Sequence, residues 1–140
     1  MKKLISFLAM VLLLSLLSAY GNDVRLIGPW RPITYHISGV DIPLEGLMIF
    51  TQKHFSSNVL FKLTKGLVDD ANINAGLYET KGDKLIFKQW IQIHLRPGNS
   101  KEPIQVPDQL VEEATYQLEG NRLVITFPSK NHFILERIHE

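Results

Sequence analysis

The chain has 140 residues, 45% of them hydrophobic, and its 15 Lys and Arg nearly balance 14 Asp and Glu, for a formal charge of +1. That balance provides no electrostatic footprint for nucleic acid or for a strongly anionic surface as partner. Cysteine is absent, which excludes thiol catalysis, thiolate metal sites and disulfides and leaves apolar burial to hold the fold.

Met1-Lys2-Lys3 is a short basic start, and Leu4 to Leu17 is apolar except for Ser6 and Ser15. Ser18-Ala19-Tyr20-Gly21 then supplies small residues for a peptidase. This order predicts a secretory signal peptide over residues 1–21, cleaved after Ala19 or after Gly21. An exported domain over 22–140 follows, in the periplasm or outside the cell. The apolar core is shorter than the ~20 residues that cross a bilayer, so no stable membrane insertion is expected after cleavage. No Cys follows that could carry a lipid. Loss of Lys2 and Lys3 leaves a mature charge of −1. The roughly 119 residues that remain suffice for one domain with its own core.

From Ile27 onward the apolar pattern has a period of two. Runs rich in Val, Ile, Phe, Tyr and Thr predict strands over 30–38, 46–51, 54–63, 73–80, 84–95, 110–118, 122–127 and 132–138. Gly82-Asp83 and Gly120-Asn121 fit two-residue hairpin turns. Two connections are longer, over 64–72 and 96–109. The second carries Pro97, Pro103 and Pro107 and reads as an extended flap. The Gly120 turn pairs Leu118 with Leu123, Tyr116 with Ile125 and Ala114 with Phe127 on one apolar face. The Gly82 turn pairs Tyr78 with Phe87 and Thr80 with Leu85. Unbroken alternation then carries Gln89, Ile91, Ile93 and Leu95 on that face and turns Trp90 outward. If Trp30 faces inward, Thr34 and His36 share its side. Eight short antiparallel strands with one apolar face, joined by consecutive hairpins, predict an all-β, up-and-down barrel, because closure removes the exposed edges. Such a barrel either fills with side chains or holds one small ligand.

Gly28-Pro29-Trp30, the block Leu47 to Thr51 with His54-Phe55-Ser56, Ala75-Gly76-Leu77-Tyr78 with Gly82 to Leu85, the run Leu118 to Leu123, and Leu135-Glu136-Arg137 stand in an order and spacing that resembles the bacterial lipocalin-like domains, within the calycin-type barrels. The likeness runs from Gly28 to Ile138. It implies that Gly28, Trp30 and Arg137 close the barrel, with the Arg137 guanidinium across the Trp30 indole. Pro29 and Pro32 lack an N–H, so the first strand is expected to start at an edge or a bulge. The Thr-Asp-Tyr motif of secreted animal lipocalins has no counterpart, so transport functions known there are not carried over.

The expected function is binding of a small hydrophobic or amphipathic molecule in the barrel, with Phe87, Ile91, Tyr116, Ile125 and Phe127 against its apolar part and Tyr78, Gln89 or His36 orienting it. In the competing reading the tyrosines and Gln89 satisfy one another, the barrel is filled, and the protein is an interaction or inhibitor module working through loops 65–72 and 96–109. No cofactor or metal is expected. His36, His54, His94, His132 and His139 form no ligand spacing, and no acidic cluster accompanies them. Asp69-Asp70 reads as solvated loop charge, and Glu112 and Glu113, as strand neighbours, point to opposite faces. Ser56-Ser57 lacks a nucleophile elbow, and phosphate loops and dinucleotide fingerprints are absent. An enzymatic reading therefore has no residue pair to stand on.

Overall fold

Alternating branched and aromatic residues, punctuated by glycine turns, form the strands β1 (Gly28–Ile37), β2 (Val40–Phe50), β3 (His54–Phe61), β4 (Asp70–Lys81), β5 (Lys84–Leu95), β6 (Ile104–Gln105), β7 (Leu110–Glu119), β8 (Arg122–Thr126) and β9 (His132–Arg137), preceded by a 3₁₀ turn at Val24–Leu26. The computed structural model describes residues 21–62, 70–95, 104–105 and 110–139. The leader, most of both long connections and the side chains of Gln89 and Trp90 lie outside the described residues. Every ladder is antiparallel. The order β4-β3-β2-β1-β9-β8-β7-β5 closes through β4–β5 pairing into an eight-stranded up-and-down barrel, and β6 adds a two-residue pairing to the end of β5.

The turns follow local chemistry. Gly82 (φ 61) and Gly120 (φ 57) supply the positive φ that two-residue hairpins need. Leu118 pairs with Leu123 and Tyr116 with Ile125, but Ala114 pairs with Leu85 rather than Phe127, because the β7–β8 ladder ends at Thr115 and Thr126. A further hairpin turns at Ser38 (φ 50) and Gly39 (φ 82), so β2 starts at Val40, six residues before the expected strand. Gly46 within β2 is tied to its place: at φ 130, a Cβ there would lie 1.9 Å from the Asn58 carbonyl oxygen.

Two β-bulges sit at mid-height. Pro32 pairs with Leu135 and Thr34 with Ile134, leaving Ile33 as an extra residue in β1. Gly76 pairs with Gln89 and Ala75 with Ile91, leaving Trp90 as an extra residue in β5. A bulge places two residues opposite one and reverses the inside-outside alternation beyond it. The proline-bearing first strand thus meets its bulge directly after Pro32.

The base of the barrel is sealed by the segment before β1. Leu26 and Trp30 are fully buried with Phe50, Tyr78, Leu85, Leu123 and Leu135. The Trp30 indole N–H donates to the Leu26 carbonyl (2.8 Å), and the Arg137 guanidinium lies 4.1 Å over the indole ring. Arg137 also donates to the carbonyls of Ile27 (2.9 Å) and Arg25. Gly28 (φ 125) makes room for it: a Cβ there would stand 2.9 Å from the Arg137 Nη1. Asn22 donates to the carbonyls of Gln52 and Tyr78 and accepts from the Thr80 N–H, which fixes the segment to β4 and the β2–β3 turn. Across the base, the Tyr116 hydroxyl of β7 donates to Asp23 (2.9 Å).

These bonds set the titration of the base. The Asp23 carboxyl falls from its ordinary 3.8 to about 2, chiefly because the Arg25 side chain bonds it, with the Arg25 backbone N–H and the Tyr116 hydroxyl adding and partial burial opposing. Burial first, and then the bonded Asp23, raises the Tyr116 hydroxyl to about 12.

Arg137→Ala is expected to cost about 2–4 kcal/mol, the sum of a cation–π contact and hydrogen bonds from a charged group, read as a lower denaturant midpoint. Arg137→Lys should recover only part of this, since it keeps the charge but loses the planar fork. The depressed folded value of Asp23 means that its stabilisation is complete above about pH 3.8 and is lost as pH falls through about 2. Wild type and Asp23→Asn should therefore differ in stability by a constant amount above about pH 4 and converge in acid, measured by urea unfolding across that range.

Candidate functional site

The strands β1, β3, β5 and β8 run from the sealed base towards the other end, where a cavity of about 250 Å³ opens. Its floor is Met48, Phe55, Phe87 and Ile125. Phe55 and Phe87 meet edge to face at 4.7 Å, and Phe50 and Tyr78 lie beneath them. One wall is aromatic. Tyr35 of β1 stacks on Phe133 of β9 at 4.5 Å and meets Phe61 of β3 edge to face at 5.7 Å, while Phe127 meets Phe133 at 5.8 Å. Tyr35 faces inward because the bulge at Ile33 shifts the alternation by one.

The other wall is polar. Asn72 and Asn74 stand two residues apart on β4 and so share the inner face with Gly76 and Tyr78. Asn74 lies opposite Ser57 of β3 and Gln92 of β5, and all three line the cavity. Ser57 is buried. The Oδ1 atoms of Asn72 and Asn74 are buried and have no hydrogen-bond partner. A buried acceptor left unsatisfied costs about 1–3 kcal/mol, so this wall is poised for a donor. Asp70, next on the same face towards the mouth, contacts the His94 Nε2 at 2.5 Å. Glu112 of β7 also lines the cavity.

The structure distributes the residues singled out from the sequence. Phe87, Ile125 and Phe127 line the cavity. Tyr78 and Tyr116 are buried, but their hydroxyls serve the base: Tyr78 donates to the Thr51 carbonyl (2.6 Å) and Tyr116 to Asp23. His36 is a correction. The Ile33 bulge turns it outward, where its Nδ1 meets Asp41 at 2.6 Å and its ring stacks on His132 at 4.8 Å. Ile91 is a second correction, being 50% exposed because the extra residue at Trp90 reverses the end of β5 and brings Gln92 inward instead. Leu95 shares that reversal and is exposed. The expected inward and outward positions of Gln89 and Trp90 concern side chains outside the described residues. Asp70 belongs to β4 rather than to a loop, and two histidines have acidic partners, His36 with Asp41 and His94 with Asp70.

Several cavity residues escaped the sequence reading. Phe55, Ser57, Val59 and Phe61 were legible as one alternating face of β3. Asn72-x-Asn74-x-Gly76-x-Tyr78 was legible by extending the face of Tyr78 backwards, and two asparagines at alternate strand positions, against their poor β-propensity, were the signal. Tyr35 and Gln92 had no such signal, since each depends on a bulge. The chain matches no protein-family model, no curated protein and no solved structure.

Proposed function

We propose that the chain is an exported, lipocalin-like binding protein that holds one small amphipathic molecule in the mouth half of its barrel. The apolar part of the ligand rests on the Phe55–Phe87 floor and against Tyr35, Phe61 and Phe133. Its polar part meets Asn72, Asn74 and Ser57. The observation that carries this reading is the pair of unpartnered amide oxygens on the polar wall of a cavity whose floor and opposite wall are apolar and largely aromatic. Ligand sites are mostly apolar with a few placed polar groups, and this division has that form. The volume of about 250 Å³ lies just under the roughly 300 Å³ at which drug-sized sites begin. It selects a ligand of one or two rings or a short branched chain over a long acyl chain. Export rests on the three-part N-terminus. The lipocalin-like assignment rests on the ordered sequence blocks and the closed eight-stranded barrel. The rival, a side-chain-filled barrel acting through its loops, is disfavoured by the open volume.

Naphthol, which has an apolar body and one hydroxyl donor, is a suitable probe. Saturable binding followed by fluorescence, together with a small molecule retained in native mass spectrometry of protein from its own host, is the expected result. Absence of both would overturn the reading. Asn74→Leu replaces an amide whose oxygen is unsatisfied by an apolar group of similar size. It should leave stability unchanged or slightly raised while weakening naphthol by about tenfold, the value of roughly one hydrogen bond in a dry site. Binding that survives this substitution unchanged would remove the polar wall from the site.

A further inference from the structure

A row of polar side chains crosses the outside of the barrel at the mouth. His36 of β1 pairs with His132 of β9 on one side and, through the Ser38-Gly39 turn, with Asp41 of β2 on the other. The Ile33 bulge turns His36 outward, and alternation from the cavity-lining Phe133 puts His132 on the same outer face. The two imidazole rings stack at 4.8 Å with 16° between their planes. Both rings are held by the same nitrogen. His36 Nδ1 meets an Asp41 carboxylate oxygen at 2.6 Å, and His132 Nδ1 meets the Lys130 carbonyl oxygen at 3.3 Å. Carboxylate and carbonyl oxygens accept, so in each ring Nδ1 donates. The neutral ring then carries its lone pair on Nε2. No described group bonds either Nε2. A carboxylate or backbone carbonyl on one ring nitrogen and an open lone pair on the other is the arrangement of metal-ligating histidines. Here it occurs on two neighbouring rings at once.

From this arrangement we infer that His36 and His132 form a two-nitrogen site for a divalent first-row metal ion, with Asp41 and the Lys130 carbonyl orienting the rings. Two nitrogens sharing an ion about 2 Å from each stand up to about 4 Å apart, which rings stacked at 4.8 Å reach by tilting their Nε2 edges together. Imidazole nitrogen suits copper, nickel and zinc, and copper(II) binds tightest of these. Among the described residues no group of three or more His, Asp or Glu side chains is placed to hold a metal, so water fills the remaining positions of the ion. Spacing in the sequence hides the pair, because its members lie on the first and last strands. The site is outside the barrel and does not depend on what the cavity holds. It clamps β1 to β9 one register row from Tyr35 and Phe133, whose rings stack on the inner face.

Untagged protein titrated with copper(II) chloride and with zinc chloride in mildly alkaline buffer tests the pair. Calorimetry is expected to show saturable binding, with copper tighter than zinc. His36→Gln and His132→Gln should each weaken copper about a hundredfold, because one ring alone loses the intramolecular second contact. Asp41→Ala should weaken it about tenfold, and Asp41→Asn, which keeps an acceptor oxygen for the ring N–H, should lose less. Imidazole nitrogen NMR spectra of the wild-type protein give a reading specific to the site. Zinc should move the Nε2 resonances of His36 and His132 together and leave both Nδ1 atoms protonated. If zinc leaves these Nε2 resonances in place, or if copper binds both Gln variants as tightly as wild type, the pair is no metal site, and the cavity reading stands untouched. The spectra need no substitution and so decide even where a variant fails to fold.

Discussion

The barrel depends on one contact, the Arg137 guanidinium laid across the Trp30 indole. It joins the last strand to the first, and the same side chain reaches the carbonyls of Ile27 and Arg25, which fixes the segment that seals the base. Trp30 is fully buried and Arg137 half-buried, so the attraction of the guanidinium to the ring counts for more than it would between two groups in water. Gly28 exists in this design to leave space for that guanidinium. The residues involved lie at opposite ends of the domain, so the contact forms only when the whole chain has come round. Folding to this topology is governed by long-range pairing and its loop-closure cost.

Base and mouth obey different rules. At the base every polar group described has a partner: the Trp30 N–H, the Tyr78 and Tyr116 hydroxyls, the Asn22 amide and the Asp23 carboxylate. At the mouth, two amide oxygens have none, and polar residues on three adjacent strands replace the aliphatic packing that would give more stability. A chain that satisfies itself in one half and not in the other concentrates its unfavourable terms at the mouth.

How much of this was legible follows from the same division. The base was readable because its hairpins are regular. Gly82 and Gly120 set the turns, and the pairs Tyr78–Phe87 and Leu118–Leu123 fall where alternation puts them. The mouth was readable only where no bulge intervened, as in Phe87, Ile125 and Phe127. His36 and Ile91 were misplaced because alternation has no memory of an inserted residue, and neither Ile33 nor Trp90 differs in type from an ordinary strand residue. The β1–β2 hairpin was legible as Ser38-Gly39 and was overlooked in favour of a break at Gly46. The tyrosine hydroxyls were legible as inward, and a structural role for them as one of two readings, but their partners, Thr51 and Asp23, lie far away in sequence and had no local signal.

The two bulges lie on β1 and β5, which face each other across the barrel in the strand order. Each acts as a frameshift in the inside-outside code, so floor and rim are written in separate frames on the same strands. Taking the extra residue of β1 into regular pairing, without deleting it, would exchange Tyr35 for His36 on the inner surface and leave everything below untouched. An architecture of this kind can change the lining of its cavity by gaining or losing a bulge, a route that strict alternation along an unbroken strand lacks.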